Sequence, residues 1–124
     1  MPSSKRQILC VEDHEDTCFM LSSLLMHENY EAQLVNNIDE ALRVVNNEAY
    51  DLFIIDKQLP DGSGLELCRE IRRRFPHTPI IVYAAAAFQS DQSESFLAGA
   101  TDYVAKPGVD ELVEAINRQF KKNI

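Results

Sequence analysis

Short apolar segments alternate with longer amphipathic segments along the chain. Five segments have the length and composition of strands, and three of them are apolar nearly throughout, as is typical of strands covered on both faces. The five are residues 7–11 (QILCV), 31–35 (EAQLV), 52–55 (LFII), 80–83 (IIVY) and 102–105 (DYVA). We therefore predict five strands of a parallel sheet.

The segments between these strands repeat their apolar residues at helical spacing. The last segment is the clearest, with apolar residues at offsets 0, 3, 4, 7 and 11 from Val109. A weaker helix is predicted over Asp91 to Ala98. The other stripes are Cys18, Leu21 and Leu25; Ile38, Ala41, Leu42 and Val45; and Leu67, Cys68, Ile71 and Phe75. The alternation predicts an α/β fold, a doubly wound five-stranded parallel sheet with helices on both faces.

Length and charge narrow the class of protein. The chain has 124 residues, which suits one domain with a hydrophobic core. Its net charge of -8 would repel a polyanion, so we expect no direct binding of nucleic acid. No apolar run reaches the roughly 18 residues that span a bilayer, and residues 1–7 lack a secretory segment. We therefore expect a cytoplasmic protein with no membrane contact.

The cysteines and histidines do not have the spacing of metal ligands. The cysteines are Cys10, Cys18 and Cys68, and the histidines are His14, His27 and His77. The cysteines are odd in number, widely spaced and flanked by core-type residues, so we predict buried free thiols. For the histidines we predict solvated or partly packed positions.

Charged residues follow three of the predicted strands. Glu12 and Asp13 follow the first, Asp56 follows the third, and Lys106 follows the fifth. The carboxyl ends of parallel strands meet at one edge of a sheet, which is where doubly wound folds bind ligands. Carboxylates about 5 Å apart repel by roughly 3 kcal/mol per pair at an effective dielectric constant near 20. A divalent cation would remove that cost, and an incomplete set of oxygen ligands favours Mg²⁺.

A carboxylate in this position can act as a nucleophile toward phosphorus and form an aspartyl phosphate. We assign the attack to Asp56, because Glu12 and Asp13 are adjacent and form a cation-holding pair. Lys106 would pair with Asp56 or with a phosphoryl oxygen. A single acid after a strand is more often a helix N-cap or a loop residue, and it is the set of four that favours chemistry. A dinucleotide site is poorly supported because residues 10–16 (CVEDHED) contain no glycine.

These residues resemble the receiver domains of two-component response regulators, over roughly Gln7 to Phe120. Residues 10–13 (CVED) are similar to the acidic pair of the family, and residues 54–67 (IIDKQLPDGSGLEL) to its phosphoacceptor segment. Residues 99–107 (GATDYVAKP) are similar to its fifth-strand signature. The resemblance implies a flavodoxin-like sheet with strand order 2-1-3-4-5 and one receiver domain over 1–124.

The resemblance also implies a Mg²⁺ site. Asp13 would be a direct ligand, Glu12 a ligand through water, and Asp56 a further ligand. Gln58 would supply its backbone carbonyl, a role that its side chain does not determine.

At the phosphoryl group, the resemblance makes Asp56 the phosphoacceptor and Lys106 the residue that contacts the phosphoryl oxygens. The Lys106–Pro107 peptide bond would be cis, a geometry that X-Pro bonds tolerate. Tyr103 would be the aromatic switch residue, whose ring moves inward in the active state. The alternative for Tyr103 is simple packing at the end of the fifth strand.

One position departs from the family pattern. The family has Ser or Thr after the fourth strand, and this chain has Ala84. A hydrogen bond to a charged group contributes about 1.5–3 kcal/mol, so its loss should weaken the phosphorylated conformation more than the chemistry. The small side chains of residues 84–87 leave two compensations open: the loop moves closer to the phosphate, or a water replaces the hydroxyl.

Three functions follow from these features. The leading one is a signalling domain, not an enzyme, that takes a phosphoryl group from a histidine kinase or histidine phosphotransfer protein. It then changes a surface formed by residues 91–98, the fifth strand and the last helix, and an unknown downstream protein or output domain binds that surface.

The second function is that of a receiver-like interaction domain that needs no phosphate, as Ala84 suggests. The third, a phosphatase of the haloacid dehalogenase type, is disfavoured because Gln58 stands where that family has a second acid. The chain is either a single-domain regulator or the receiver of a longer protein.

Overall fold

The computed structural model describes residues 5–85 and 89–121. Seven strands are present in this part of the chain. In chain order they are β1 (Gln7–Val11), β2 (Glu31–Val35), β3 (Leu52–Ile55), β4 (Gln58–Leu59), β5 (Gly62–Ser63), β6 (Ile80–Ala84) and β7 (Asp102–Ala105). The helices are α1 (Glu15–His27), α2 (Ile38–Val45), α3 (Gly64–Arg74), α4 (Gln89–Leu97) and α5 (Val109–Lys121).

The main sheet has five parallel strands in the order β2-β1-β3-β6-β7. These are the five strands predicted from the apolar segments, and their order is the predicted 2-1-3-4-5 when the short strands β4 and β5 are left out. The fold prediction is therefore confirmed. The order reverses between β1 and β3, so the crevice for a ligand lies beyond the carboxyl ends of these two strands.

Side chains of each central strand alternate between two hydrophobic cores. On β1, Leu9 and Val11 pack with α2 and α3, whereas Ile8 and Cys10 pack with α1 and α5. The inner strands are buried on both faces, which explains their nearly continuous apolar sequence. The helices therefore lie on both faces of the sheet, as predicted.

A short antiparallel hairpin, β4–β5, was not predicted as strand structure. Its two-residue pairing joins Gln58 to Ser63 and Leu59 to Gly62, with Pro60 and Asp61 at the tip. The sequence indicated a turn here, and the turn is present as the tip of this hairpin. The hairpin carries the chain from the end of β3 into α3.

Side chains from this region also cap two helices. Oγ of Ser63 accepts a hydrogen bond from the Leu65 N–H at the start of α3. Asp61 caps α2 from a distant part of the chain, because its carboxylate accepts from the N–H groups of Ile38 (2.9 Å) and Asp39 (3.1 Å). The hairpin is thereby fixed to the neighbouring helix.

All three thiols are free. Cys10 and Cys68 are buried as predicted, and Cys18 is partly exposed. None of the helices in residues 5–85 and 89–121 is both long enough and apolar enough to cross a membrane.

Candidate functional site

The charged residues identified from the sequence meet at the carboxyl edge of the sheet. The Asp56 N–H donates to the carbonyl of Val11 (3.0 Å), which places Asp56 beside the residues that follow β1. The Lys106 N–H donates to the carbonyl of Ala84 (2.8 Å) in the same way. Each residue therefore continues the hydrogen-bonding register of its strand by one position. The parallel sheet itself brings these groups together.

Lys106 joins two buried carboxylates. Its Nζ lies 2.8 Å from Oε1 of Glu12 and 3.2 Å from Oδ2 of Asp56. The exposed fractions of the two acids are 2% and 5%. Burying an unpaired carboxylate is costly, so the lysine stabilises both acids in the fold.

His14 also lies against the acidic cluster. Its Nδ1 is 2.8 Å from Oε2 of Glu12, 3.5 Å from Oδ1 of Asp13 and 3.8 Å from Oδ2 of Asp56. The ring is 65% exposed, so the prediction of a solvated histidine is accurate but incomplete. Sequence reasoning missed this contact, and the only available signal was the position of His14 directly after the acidic pair.

The electrostatics of the site differ between the two buried acids. Burial, with the nearby charge of Glu12, raises the pKa of Asp56 against the opposing effect of Lys106. Burial also acts to raise the pKa of Glu12, but hydrogen bonds from Lys106 and His14 outweigh it, and the pKa of Glu12 is lowered. Glu12 is thus the acid whose charge is held most firmly.

Lys106 keeps its charge despite partial burial. Burial acts to lower the pKa of its ammonium group, but the hydrogen bond to Glu12 and the charge of Asp56 outweigh it and raise the pKa. The hydrogen bond to Glu12 and the charge of Asp13 raise the pKa of His14.

The donor set suits a divalent cation. Single ligand atoms of Glu12, Asp13, His14 and Asp56 all lie within 4.8 Å of one another. The ammonium group of Lys106 and the imidazole of His14 already lie beside these carboxylates. Three carboxylates are ligands of the type that Mg²⁺ prefers. The cluster is therefore one that can hold a metal ion.

Gln58 lies beyond Asp56 at the start of the β4–β5 hairpin. Its backbone N–H donates to Oδ1 of Asp56 at 3.3 Å. This hydrogen bond orients the carboxylate of Asp56 from the side opposite to Lys106, which contacts Oδ2.

A cleft of about 380 Å³ opens over the site. It is lined by His14, Asp56, Lys57, Gln58, Ala85, Asp91 and Lys106. On its far wall, Lys57 forms an ion pair with Asp91 of α4, and Nζ of Lys57 lies 3.7 Å from Oε2 of Glu94. The cleft is therefore bounded by α4 as well as by the edge of the sheet.

Ala84 ends β6 and is almost completely buried. Its side chain offers no donor to the cleft, and the next residue, Ala85, is exposed at the rim. Residues 86 and 87, on which both predicted compensations for the missing hydroxyl depend, lie outside the described residues.

Tyr103 packs against the core cluster on the α2 and α3 side of the sheet. Its hydroxyl is buried and has no hydrogen-bond partner within residues 5–85 and 89–121. Burial raises the pKa of this phenol. The ring is therefore partly buried against the core, and its hydroxyl lacks a hydrogen-bond partner among the described residues.

Gly64 has a steric requirement set by the site. A Cβ atom at this position would lie 1.8 Å from the carbonyl oxygen of Asp56. The Gly64 N–H also donates to the carbonyl of Lys57 at 2.7 Å. Only glycine permits this close approach, which holds the segment after Asp56 against the start of α3.

The Lys106–Pro107 peptide bond is cis. It directly follows the residue whose Nζ contacts both buried acids.

Comparisons with known proteins agree on one family. A sequence profile of the response regulator receiver domain matches residues 8–117. The response regulator ArlR of Staphylococcus epidermidis is 35% identical over 116 residues, which are 93% of this chain and 52% of that protein. ArlR of Staphylococcus aureus is 37% identical over 123 residues, or 95% of this chain and 56% of that protein. The chain thus spans about half the length of these curated relatives.

Solved structures of receiver domains also superpose on this chain. The beryllofluoride-activated DrrB receiver domain superposes with a TM-score of 0.86 at 27% identity, over 94% of this chain and 98% of that one. The receiver domain of the sensor histidine kinase PA1611 from Pseudomonas aeruginosa superposes with a TM-score of 0.84 at 32% identity, over 94% and 98%.

Proposed function

The chain belongs to the response regulator receiver domain family, and on this premise we propose that it accepts a phosphoryl group on Asp56 with the aid of Mg²⁺. Receiver domains are regulatory signalling domains of two-component systems rather than conventional enzymes. In this proposal a histidine kinase or a histidine phosphotransfer protein supplies the phosphoryl group. The phosphorylated state then changes a surface that another protein or an output domain reads.

The observation that carries the proposal is the environment of Asp56. Its carboxylate lines an open cleft, one of its oxygens contacts Lys106, and a second buried acid, Glu12, contacts the same lysine. A carboxylate used only as a helix cap needs neither a lysine nor an acidic cluster beside it. The arrangement supports a nucleophile whose products are stabilised by positive charge.

The proposed transfer forms one bond to phosphorus and breaks one, and it needs no reactant besides the phosphodonor and a proton. An oxygen of the Asp56 carboxylate attacks phosphorus and forms an O–P bond, while the bond between phosphorus and the donor imidazole nitrogen breaks. The imidazole leaves and takes up a proton. Lys106 then moves its contact from the Asp56 carboxylate to a phosphoryl oxygen, because the added group carries about two negative charges.

Mg²⁺ would be held by Asp13, Asp56 and the backbone carbonyl of Gln58, with Glu12 acting through water. When bound, it would neutralise charge that gathers on the transferred group. The P. aeruginosa receiver domain described above was solved with a magnesium ion coordinated in its active site cleft, which supports this choice of ion.

The output surface is proposed to include α4, β7 and α5. The Lys57–Asp91 pair connects the segment after Asp56 to α4, so a change at Asp56 has a direct route to this helix. Leu97 on α4 is 86% exposed, and Phe96 is also exposed. Exposed apolar side chains on α4 suit a surface that binds another protein.

The alanine at position 84 favours a second candidate function, an interaction domain that works without phosphate. No hydroxyl at this position can couple a phosphoryl oxygen to Tyr103, whose ring already packs against the core. In that case the surface that this structure presents would be the binding-competent one.

Incubation with acetyl phosphate and Mg²⁺ followed by intact mass measurement tests the proposal. We expect the mass of one phosphoryl group to be added to the native chain, and none to be added after chelation of Mg²⁺ or in Asp56→Asn. Asp110→Asn, which changes an exposed acid on α5, is the matched control and should be modified like the native chain. An unmodified native chain that also fails to bind beryllofluoride would favour the second candidate.

A further inference from the structure

We propose that His14 is a ligand of the divalent cation at this site, and that it shifts the preference of the site from Mg²⁺ toward Mn²⁺. The inference rests on the proposed function, because it concerns the metal that supports phosphoryl acceptance. It assigns a nitrogen ligand to a site whose other ligands are oxygen atoms.

The first support is the position of one atom, Nδ1 of His14. This atom lies within 3.8 Å of an oxygen of Glu12, of Asp13 and of Asp56. All four donors lie within 4.8 Å of one another, which is close to the span across a six-coordinate ion with bonds of about 2.1 Å. The imidazole therefore faces the volume in which the carboxylates would hold a cation, and Nδ1 would bind the ion in place of the hydrogen bond that it makes with Glu12 here.

The second support is that His14 does not use its side chain to cap the helix. His14 is the N-cap residue of α1, and its carbonyl accepts from the Cys18 N–H at 2.9 Å. An N-cap side chain usually accepts from a backbone N–H in the first turn, and His14 makes no such bond. Its backbone N–H instead donates to Oε2 of Glu12 at 3.1 Å, which fixes the residue beside the acidic pair.

Ligand chemistry gives the direction of the preference. Mg²⁺ binds oxygen ligands and retains its waters, so an imidazole adds little to its affinity. Imidazole nitrogen suits first-row transition ions, and carboxylates and carbonyls suit Mn²⁺ as well as Mg²⁺. A site with an imidazole beside its oxygen ligands should therefore bind Mn²⁺ more tightly than a site with the oxygen ligands alone.

Titration calorimetry with Mn²⁺ and with Mg²⁺ on the unphosphorylated chain tests the inference. We expect His14→Ala to lower the ratio of Mn²⁺ to Mg²⁺ affinity at least about tenfold, the lower end of what loss of a metal-supporting group costs. His14→Gln, which offers an amide oxygen in place of nitrogen, should lower the ratio as well. His27→Ala, at the other end of α1, is the matched control and should keep the native ratio. An unchanged ratio in both His14 variants would overturn the inference.

Pulsed electron paramagnetic resonance of bound Mn²⁺ gives a separate readout. A directly bound imidazole should produce nitrogen couplings in the native chain and in His27→Ala, and these should be absent in His14→Ala. Couplings that persist in His14→Ala, or that are missing in the native chain, would contradict the assignment. Neither measurement uses a phosphodonor. A native chain that accepts no phosphoryl group would therefore count against the proposed function alone, and an unchanged metal preference against this inference alone.

Discussion

Nζ of Lys106 lies 3.2 Å from Oδ2 of Asp56, although the two residues are 50 positions apart in the chain. The same ammonium group lies 2.8 Å from Glu12. One lysine therefore compensates two buried acids that follow different strands. Its role in the fold and its proposed role toward the phosphoryl group depend on the same contacts, and the two can be separated by experiment.

Lys106→Met should destabilise the chain in the absence of a divalent ion. Breaking a buried ion pair leaves an uncompensated charge, and we expect the free energy of unfolding to fall by about 3 kcal/mol. Excess Mg²⁺ should restore part of this loss, because a cation can then compensate Glu12 and Asp56. Urea unfolding with and without Mg²⁺ measures both effects. Lys121→Met, an exposed change on α5, is the control, and equal losses in the two variants would refute the expectation.

Restoring the hydroxyl at position 84 should strengthen binding of a phosphoryl mimic. A hydrogen bond to a charged group contributes about 1.5–3 kcal/mol, so Ala84→Thr should bind beryllofluoride at least about tenfold more tightly than the native chain. Ala84→Val has nearly the same shape without the hydroxyl and is the control. Fluorine magnetic resonance titrations give the two affinities. If Thr and Val behave alike, the missing hydroxyl is not what limits the phosphorylated conformation.

Tyr103→Phe should leave stability unchanged or raise it slightly. The Tyr103 hydroxyl is buried without a partner among the described residues, so its removal eliminates an unsatisfied polar group. Tyr30→Phe is the contrasting variant, because the Tyr30 hydroxyl donates to Oδ1 of Asn117 at 2.6 Å. We expect Tyr30→Phe to lose about 1 kcal/mol in urea unfolding. A comparable loss in Tyr103→Phe would mean that its hydroxyl has a partner in solution.

Asp61 should contribute a pH-dependent part of the stability. Hydrogen bonds from the N–H of Ile38 and then of Asp39 lower the pKa of Asp61 in the folded state. Because the folded state favours the carboxylate, Asp61 stabilises the fold above the ordinary carboxyl pKa, and this stabilisation is lost as the pH falls through the lowered pKa. The difference in urea midpoint between the native chain and Asp61→Asn should therefore shrink from about pH 6 to about pH 3. A difference that stays constant would contradict the assignment.

The strands and the main site residues could be predicted from the sequence for a physical reason. A strand such as β3 is buried on both faces, so its apolar run is visible locally, and Asp56 stands out because it ends that run. The sheet topology then brings the ends of the strands together without further information. This is why Lys106 could be assigned to Asp56 before any distance was known.

Contacts that depend on side-chain direction could not be predicted from the sequence. The approach of His14 to Asp56, the capping of α2 by Asp61 and the ion pair between Lys57 and Asp91 join segments whose relative placement is set by tertiary packing. No local pattern marks such contacts. The β4–β5 hairpin is likewise too short to produce a strand pattern, and only its turn residues were visible.

The central claim is that Asp56 accepts the phosphoryl group, and the most direct test locates the modification. After incubation with acetyl phosphate and Mg²⁺, borohydride reduction converts an aspartyl phosphate to homoserine, and peptide mass mapping then identifies the residue. We predict homoserine at position 56 alone. Homoserine at another acid, or an unmodified Asp56 in a chain that carries a phosphoryl group, would contradict the claim.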